Sequence, residues 1–172
     1  MTQGLTKVWD PFVRTVHWAL ASIIVVEMFN EAGANPWHRY FGYAAATLVV
    51  MRLAWGWGDS GYARLSVMAA SARRMPSYLK RSWATPSTGH TPPGAFMAFT
   101  LWGLTLLVAL TGWLQGLDRF WGDERLQDLH EALAYVLSAG ALVHVTAAIA
   151  TSCMQRVNLV KAMVTGNKPS RG

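Results

Sequence analysis

Apolar residues gather in four long runs along this chain, and polar, glycine-rich or proline-rich stretches separate them. Each run is long enough to cross a bilayer as a helix, which takes roughly 20 residues. The pattern predicts helices over about 12–30, 38–57, 94–117 and 126–155. The polar start closes on Trp9, Asp10 and Pro11, and proline suits the first turn of a helix. No plausible cleavage site follows the first run, so that helix is expected to be retained. The stretch 30–37, NEAGANPW, has a turn composition, and PPG precedes the third run. The interval 58–93 is the longest non-spanning segment. Its middle, SVMAASARRMPSYLKRSW, mixes basic residues with Met, Leu and Trp, as an interfacial amphipathic piece does. In the tail, Asn158 is placed to cap a short surface helix that Gly166 would end.

Composition sharpens this picture. Of 172 residues, 52% are hydrophobic and only 14% charged, too apolar for an ordinary soluble domain. The expected fold is all-α: one domain over residues 1–172, an integral membrane four-helix bundle. A formal net charge of +6 would suit nucleic acid. The basic residues, however, sit in the N-terminal segment, the 58–93 loop and the tail, while the two other loops hold only Arg39, Arg119 and Arg125. The positive-inside rule accounts for that distribution and puts both termini in the cytoplasm, with no nucleic-acid partner needed. Seven of the nine tryptophans flank predicted spans as an interfacial belt. The single cysteine, Cys153, excludes an internal disulfide or a thiolate zinc site.

That topology assigns each membrane histidine a depth. His130 and His144 are fourteen residues apart on the fourth helix, so they share a face with a separation of roughly 21 Å. One metal ion cannot bridge them. His17 begins the first helix at the level of His144, and His38 begins the second at the level of His130. Two b-type haems, each held by two histidines, would use all four as axial ligands of haem iron.

Other residues support this less specifically. Gly42 lies four residues after His38 and Gly140 four before His144, each on its histidine's face; either clears room for a flat cofactor or serves helix packing. Arg52, fourteen residues after His38, is expected on the interior face near the cytoplasmic haem, where a propionate is a suitable partner. Arg14 is a second propionate candidate or a side chain that snorkels to lipid phosphate, and Arg39 has the same two readings at the outer surface. Glu27, inside an apolar helix, calls for a partner or a proton-handling role, or lies at the interface. Glu131 could orient a neighbouring ligand or simply favour the helix dipole. His90, in GHTPPGA, has no partner histidine at its level and is read as structural or as lying at a cytoplasmic surface.

VWDPFVRTVHW at the start, HRYFGY opening the second helix, GHTPPGA before the third, LHEALAYVL with HV fourteen residues on, and NLVKAMVTG in the tail resemble the prokaryotic cytochrome b561 family. That family includes the b-type cytochrome subunits of nickel-iron hydrogenases. The resemblance covers nearly the whole chain. It implies a multi-pass protein of the bacterial inner membrane with two b haems, ligated by His17 with His144 and by His38 with His130. It further implies electron exchange with membrane quinone and a partner redox protein, such as a periplasmic cytochrome; a homodimer is compatible with it. Two other roles fit the resemblance: a haem-bearing anchor subunit of a hydrogenase or dehydrogenase, and a superoxide:quinone oxidoreductase. With four helices, the chain is closer to the shorter b561 type than to hydrogenase subunits with additional helices.

Overall fold

The structure is a computed structural model that describes residues 5–30, 36–58, 64–80, 91–155 and 158–169. Residues 31–35 of the expected turn at 30–37, and His90 with the rest of 81–90, lie outside the described residues. In chain order the elements are strand β1 (Leu5–Lys7), helices α1 (Pro11–Met28), α2 (Trp37–Gly58), α3 (Leu65–Ala72), α4 (Met75–Lys80) and α5 (Pro92–Gln115), a 3-10 turn (Asp118–Phe120), helices α6 (Glu124–Gln155) and α7 (Leu159–Thr165), and strand β2 (Asn167–Pro169).

The helix starts follow local chemistry. Asp10 accepts from the Val13 amide at 2.9 Å with Pro11 in the first turn, and Thr91 accepts from Gly94 at 3.2 Å ahead of Pro92. Each such cap stabilises its helix by about 1 kcal/mol. Asn158 caps α7 through the Lys161 amide at 2.7 Å, and Gly166 ends it at φ +82°, so the tail helix forms where the sequence signals it. Inside the apolar helices the hydroxyls of Thr15, Thr47, Thr100, Thr105 and Thr146 donate to the carbonyl four residues back. Such bonds satisfy a polar group where water is absent.

Among the described residues, three helices, α1, α5 and α6, are long and apolar enough to cross a membrane. Helix α2 has 22 residues but is less hydropathic. Its sequence, WHRYFGYAAATLVVMRLAWGWG, carries His38, Arg39, Arg52 and several aromatic residues with polar atoms. The long helices pack in chain order, α1 on α2, α2 on α5, α5 on α6. One stripe of α2, Ala45, Val49, Arg52 and Gly56, is buried at a three-four spacing that begins from His38 and Gly42. The interval 58–93 contains α3 and α4, both packed on α5, where the sequence suggested a single amphipathic stretch.

A short antiparallel ribbon, unexpected from the sequence, ties the two ends of the described chain together: β1 pairs with β2, Leu5 opposite Pro169 and Lys7 opposite Asn167. Beneath it Val8, Trp9 and Val13 form a buried cluster against Met163. The Val8 and Trp9 amides both donate to the Gly166 carbonyl, at 2.8 and 3.1 Å. The N- and C-terminal segments therefore meet at one end of the molecule, the clasp end.

Candidate functional site

The histidines meet in two pairs, one near each end of the long helices. At the clasp end, the His17 ring of α1 faces the His144 ring of α6, with centroids 6.3 Å apart and planes inclined by 56°. At the far end, the His38 ring of α2 faces the His130 ring of α6, with centroids 6.1 Å apart and planes inclined by 89°. All four residues are half-buried.

Two imidazoles bonded from opposite sides to one metal, with bonds of about 2 Å, put their ring centroids about 6 Å apart. Both pairs fit that spacing. Each offers only two protein donors, and among the described residues no group of three or more His, Cys, Asp or Glu side chains is placed to hold a metal ion. A two-imidazole donor set suits a metal whose remaining ligands come from a flat macrocycle.

The far-end pair has the more complete surroundings. Nδ1 of His38 is hydrogen-bonded to Oε2 of Glu27, at the far end of α1. The other oxygen of Glu27 accepts from Asn30 Nδ2 at 3.1 Å. Nδ1 of His130 lies 2.9 Å from the Thr111 hydroxyl of α5. That hydroxyl donates to the Leu107 and Val108 carbonyls, both at 3.0 Å, so it accepts from the ring N–H. Both far-end rings thus have Nδ1 engaged and Nε2 left for a ligand bond. Gly112 lets the His130 ring lie against α5, because a Cβ there would stand 3.1 Å from Cε1. At the clasp end, Nδ1 of His17 is buried without a hydrogen-bond partner.

The remaining candidates are placed as follows. Arg52 is only 3% exposed. Its guanidinium lies 5.1 Å over the Trp102 ring, and Nη2 contacts the Met68 sulfur at 3.3 Å, under α3. Arg14 donates to the Val164 carbonyl and packs against Gly166, which binds α1 to the tail, and its Nε is buried without a partner. A Cβ at Gly42 would meet nothing within 4 Å, whereas one at Gly140 would stand 3.1 Å from Leu101 Cδ2, so Gly140 sits against α5. Arg39 lies beside Gly116 at the C-terminal end of α5. Glu131 is exposed, and it is Thr111, on another helix, that lies against His130 Nδ1.

Sequence reasoning did not find Thr111 or Gly112, and it left the partner of Glu27 open. A signal existed for the first two. Thr111 precedes the end of α5 by about one turn, which matches the depth of His130 shortly after the start of the antiparallel α6.

The sequence model of the family described as prokaryotic cytochrome b561 matches residues 8–166. No curated protein and no solved structure gives a match.

Proposed function

Because the chain belongs to the prokaryotic cytochrome b561 family and is thus a membrane b-type cytochrome of electron transfer, we propose that it holds two b haems and links membrane quinone to a redox protein at the outer face. His17 and His144 would hold one haem, His38 and His130 the other. The observation that carries this reading is the facing of four histidines in two pairs, with ring spacings that would let each pair hold one haem iron.

Bound haem iron supplies one-electron chemistry, alternating between ferric and ferrous. The chain's own part is to hold and insulate. Helix α6 contributes a ligand at each end and fixes the separation of the two sites at roughly 21 Å along its axis. Thr111 and Glu27 set the orientation of the far-end rings. Arg52, on the same stripe of α2 as His38, would supply a buried positive charge for the carboxylates of the clasp-end haem, and Arg14 would be a second cation at that end. The clearance at Gly42 admits a flat group beside His38.

In this reading α2 is the fourth span, and the polar residues that lower its hydropathy serve the interior. The clasp end, joined by the ribbon and flanked by most of the Lys and Arg, is cytoplasmic, and the His38/His130 end faces outward.

Reconstitution into liposomes tests the proposal. Purified protein should show a b-type spectrum, and a membrane-soluble quinol should reduce it faster than a water-soluble donor of equal potential. Absence of haem, or indifference to the quinol, would overturn it.

A further inference from the structure

The two histidine pairs differ in charge. At the far end, Nδ1 of His38 is bonded to the Glu27 carboxylate. Among the described residues no carboxylate bonds His17, His130 or His144. His130 faces a neutral hydroxyl, and Nδ1 of His17 has no partner. Glu27 is itself held, because Asn30 donates to its second oxygen. Its carboxylate belongs to α1 while His38 belongs to α2, so the bond also joins two helices at the edge of the site.

A carboxylate that accepts the Nδ1–H of an imidazole does two things. It fixes which nitrogen is free to bind a metal, and it makes that nitrogen a better electron donor. Electron donation and nearby negative charge both favour the ferric over the ferrous state, so the potential falls. The cations described at this end, Arg39, Arg119 and Arg125, are exposed and screened by water, whereas Arg52 on the same helix as His38 is buried. Among the described residues, no buried cation at the far end therefore offsets the carboxylate.

We propose that Glu27 is the positioning residue for His38, and that its bond makes the His38/His130 site the lower in potential of the two. The proposal rests on the two-haem reading above. The redox change concerned is one electron taken up by iron, with no bond broken and no atom transferred.

Potentiometric titration of the full-length protein, followed by its b-type absorbance, tests this together with the haem content of each sample. Glu27→Gln keeps a hydrogen-bonding side chain but removes the charge. It should retain two haems, raise the lower midpoint and leave the other in place. Glu27→Ala should raise the same midpoint and also loosen that haem. A Glu27→Gln protein with both midpoints unchanged, or with only the higher one moved, would overturn the proposal. The wild type offers a check that needs no Glu27 variant. Its low-potential component should be the one that disappears in His130→Ala; if His17→Ala removes it instead, the assignment is wrong. A wild type with fewer than two haems would instead overturn the two-haem reading, so the two failures are distinguishable.

Discussion

Gly112 of α5 and His130 of α6 approach so closely that a Cβ on the glycine would stand 3.1 Å from Cε1 of the imidazole. Carbon atoms in good contact lie about 3.5 to 4.0 Å apart. Gly112→Ala should therefore displace the ring and lower haem occupancy at that end, and Gly112→Val should abolish it. The His17/His144 haem should persist in both. Haem content and the number of redox components in each variant measure this.

Thr111 gives a chemical counterpart to that steric test. Thr111→Val keeps the shape but removes the acceptor for His130 Nδ1. Loss of a partner behind a metal ligand commonly weakens metal binding about 10-fold or more. Haem should dissociate from the far-end site about 10-fold faster when apomyoglobin is added as a trap, and Thr111→Ser should restore retention. Equal rates in Thr111→Val and wild type would show that the hydroxyl does not orient the ring.

Arg52 tests the other end. Its guanidinium stands over the Trp102 ring beside Met68 and is 3% exposed. On the proposed reading, in which the Arg52 charge would serve the clasp-end haem, Arg52→Gln should lower the midpoint of the component lost in His17→Ala. Arg52→Lys should keep part of that potential but lose stability, since lysine cannot reproduce the flat stack on Trp102. Redox titration and thermal melting in detergent separate the two effects.

The ribbon at the clasp end depends on Gly166, at φ +82° and with a would-be Cβ only 2.8 Å from the Trp9 carbonyl. A non-glycine residue there costs about 1–2 kcal/mol from the left-handed conformation alone, and the backbone carbonyl cannot move aside cheaply. Gly166→Ala should lower the melting temperature in detergent and speed tryptic cleavage at Lys7. An unchanged cleavage rate would mean that the two ends are not joined there.

Much of this arrangement is legible in the sequence because a helix is a ruler. The fourteen-residue spacing of His130 and His144, set against antiparallel helices, places His17 and His38 at the depths of the rings they face in the structure. The capping signals at Asp10, Asn158 and Gly166 are local, and they read directly. The Glu27–His38 bond is harder, since it joins the ends of two helices across a turn and depends on how those helices rotate. Thr111 and Gly112 lie in an apolar run with no charge to single them out. Helix α2 falls short in hydropathy because the stripe that runs along it includes the polar residues His38 and Arg52. The ribbon was invisible because its strands are three residues each and pair the opposite ends of the chain.

The central claim is that each facing pair of histidines holds one haem, and counting haem per chain in His→Ala variants tests it most directly. Wild type should carry two. His17→Ala, His144→Ala and the double variant should all lose the same spectral and redox component, while His38→Ala, His130→Ala and their double should all lose the other. If His17→Ala and His144→Ala remove different components, or if the wild type carries a single haem, the pairing is wrong.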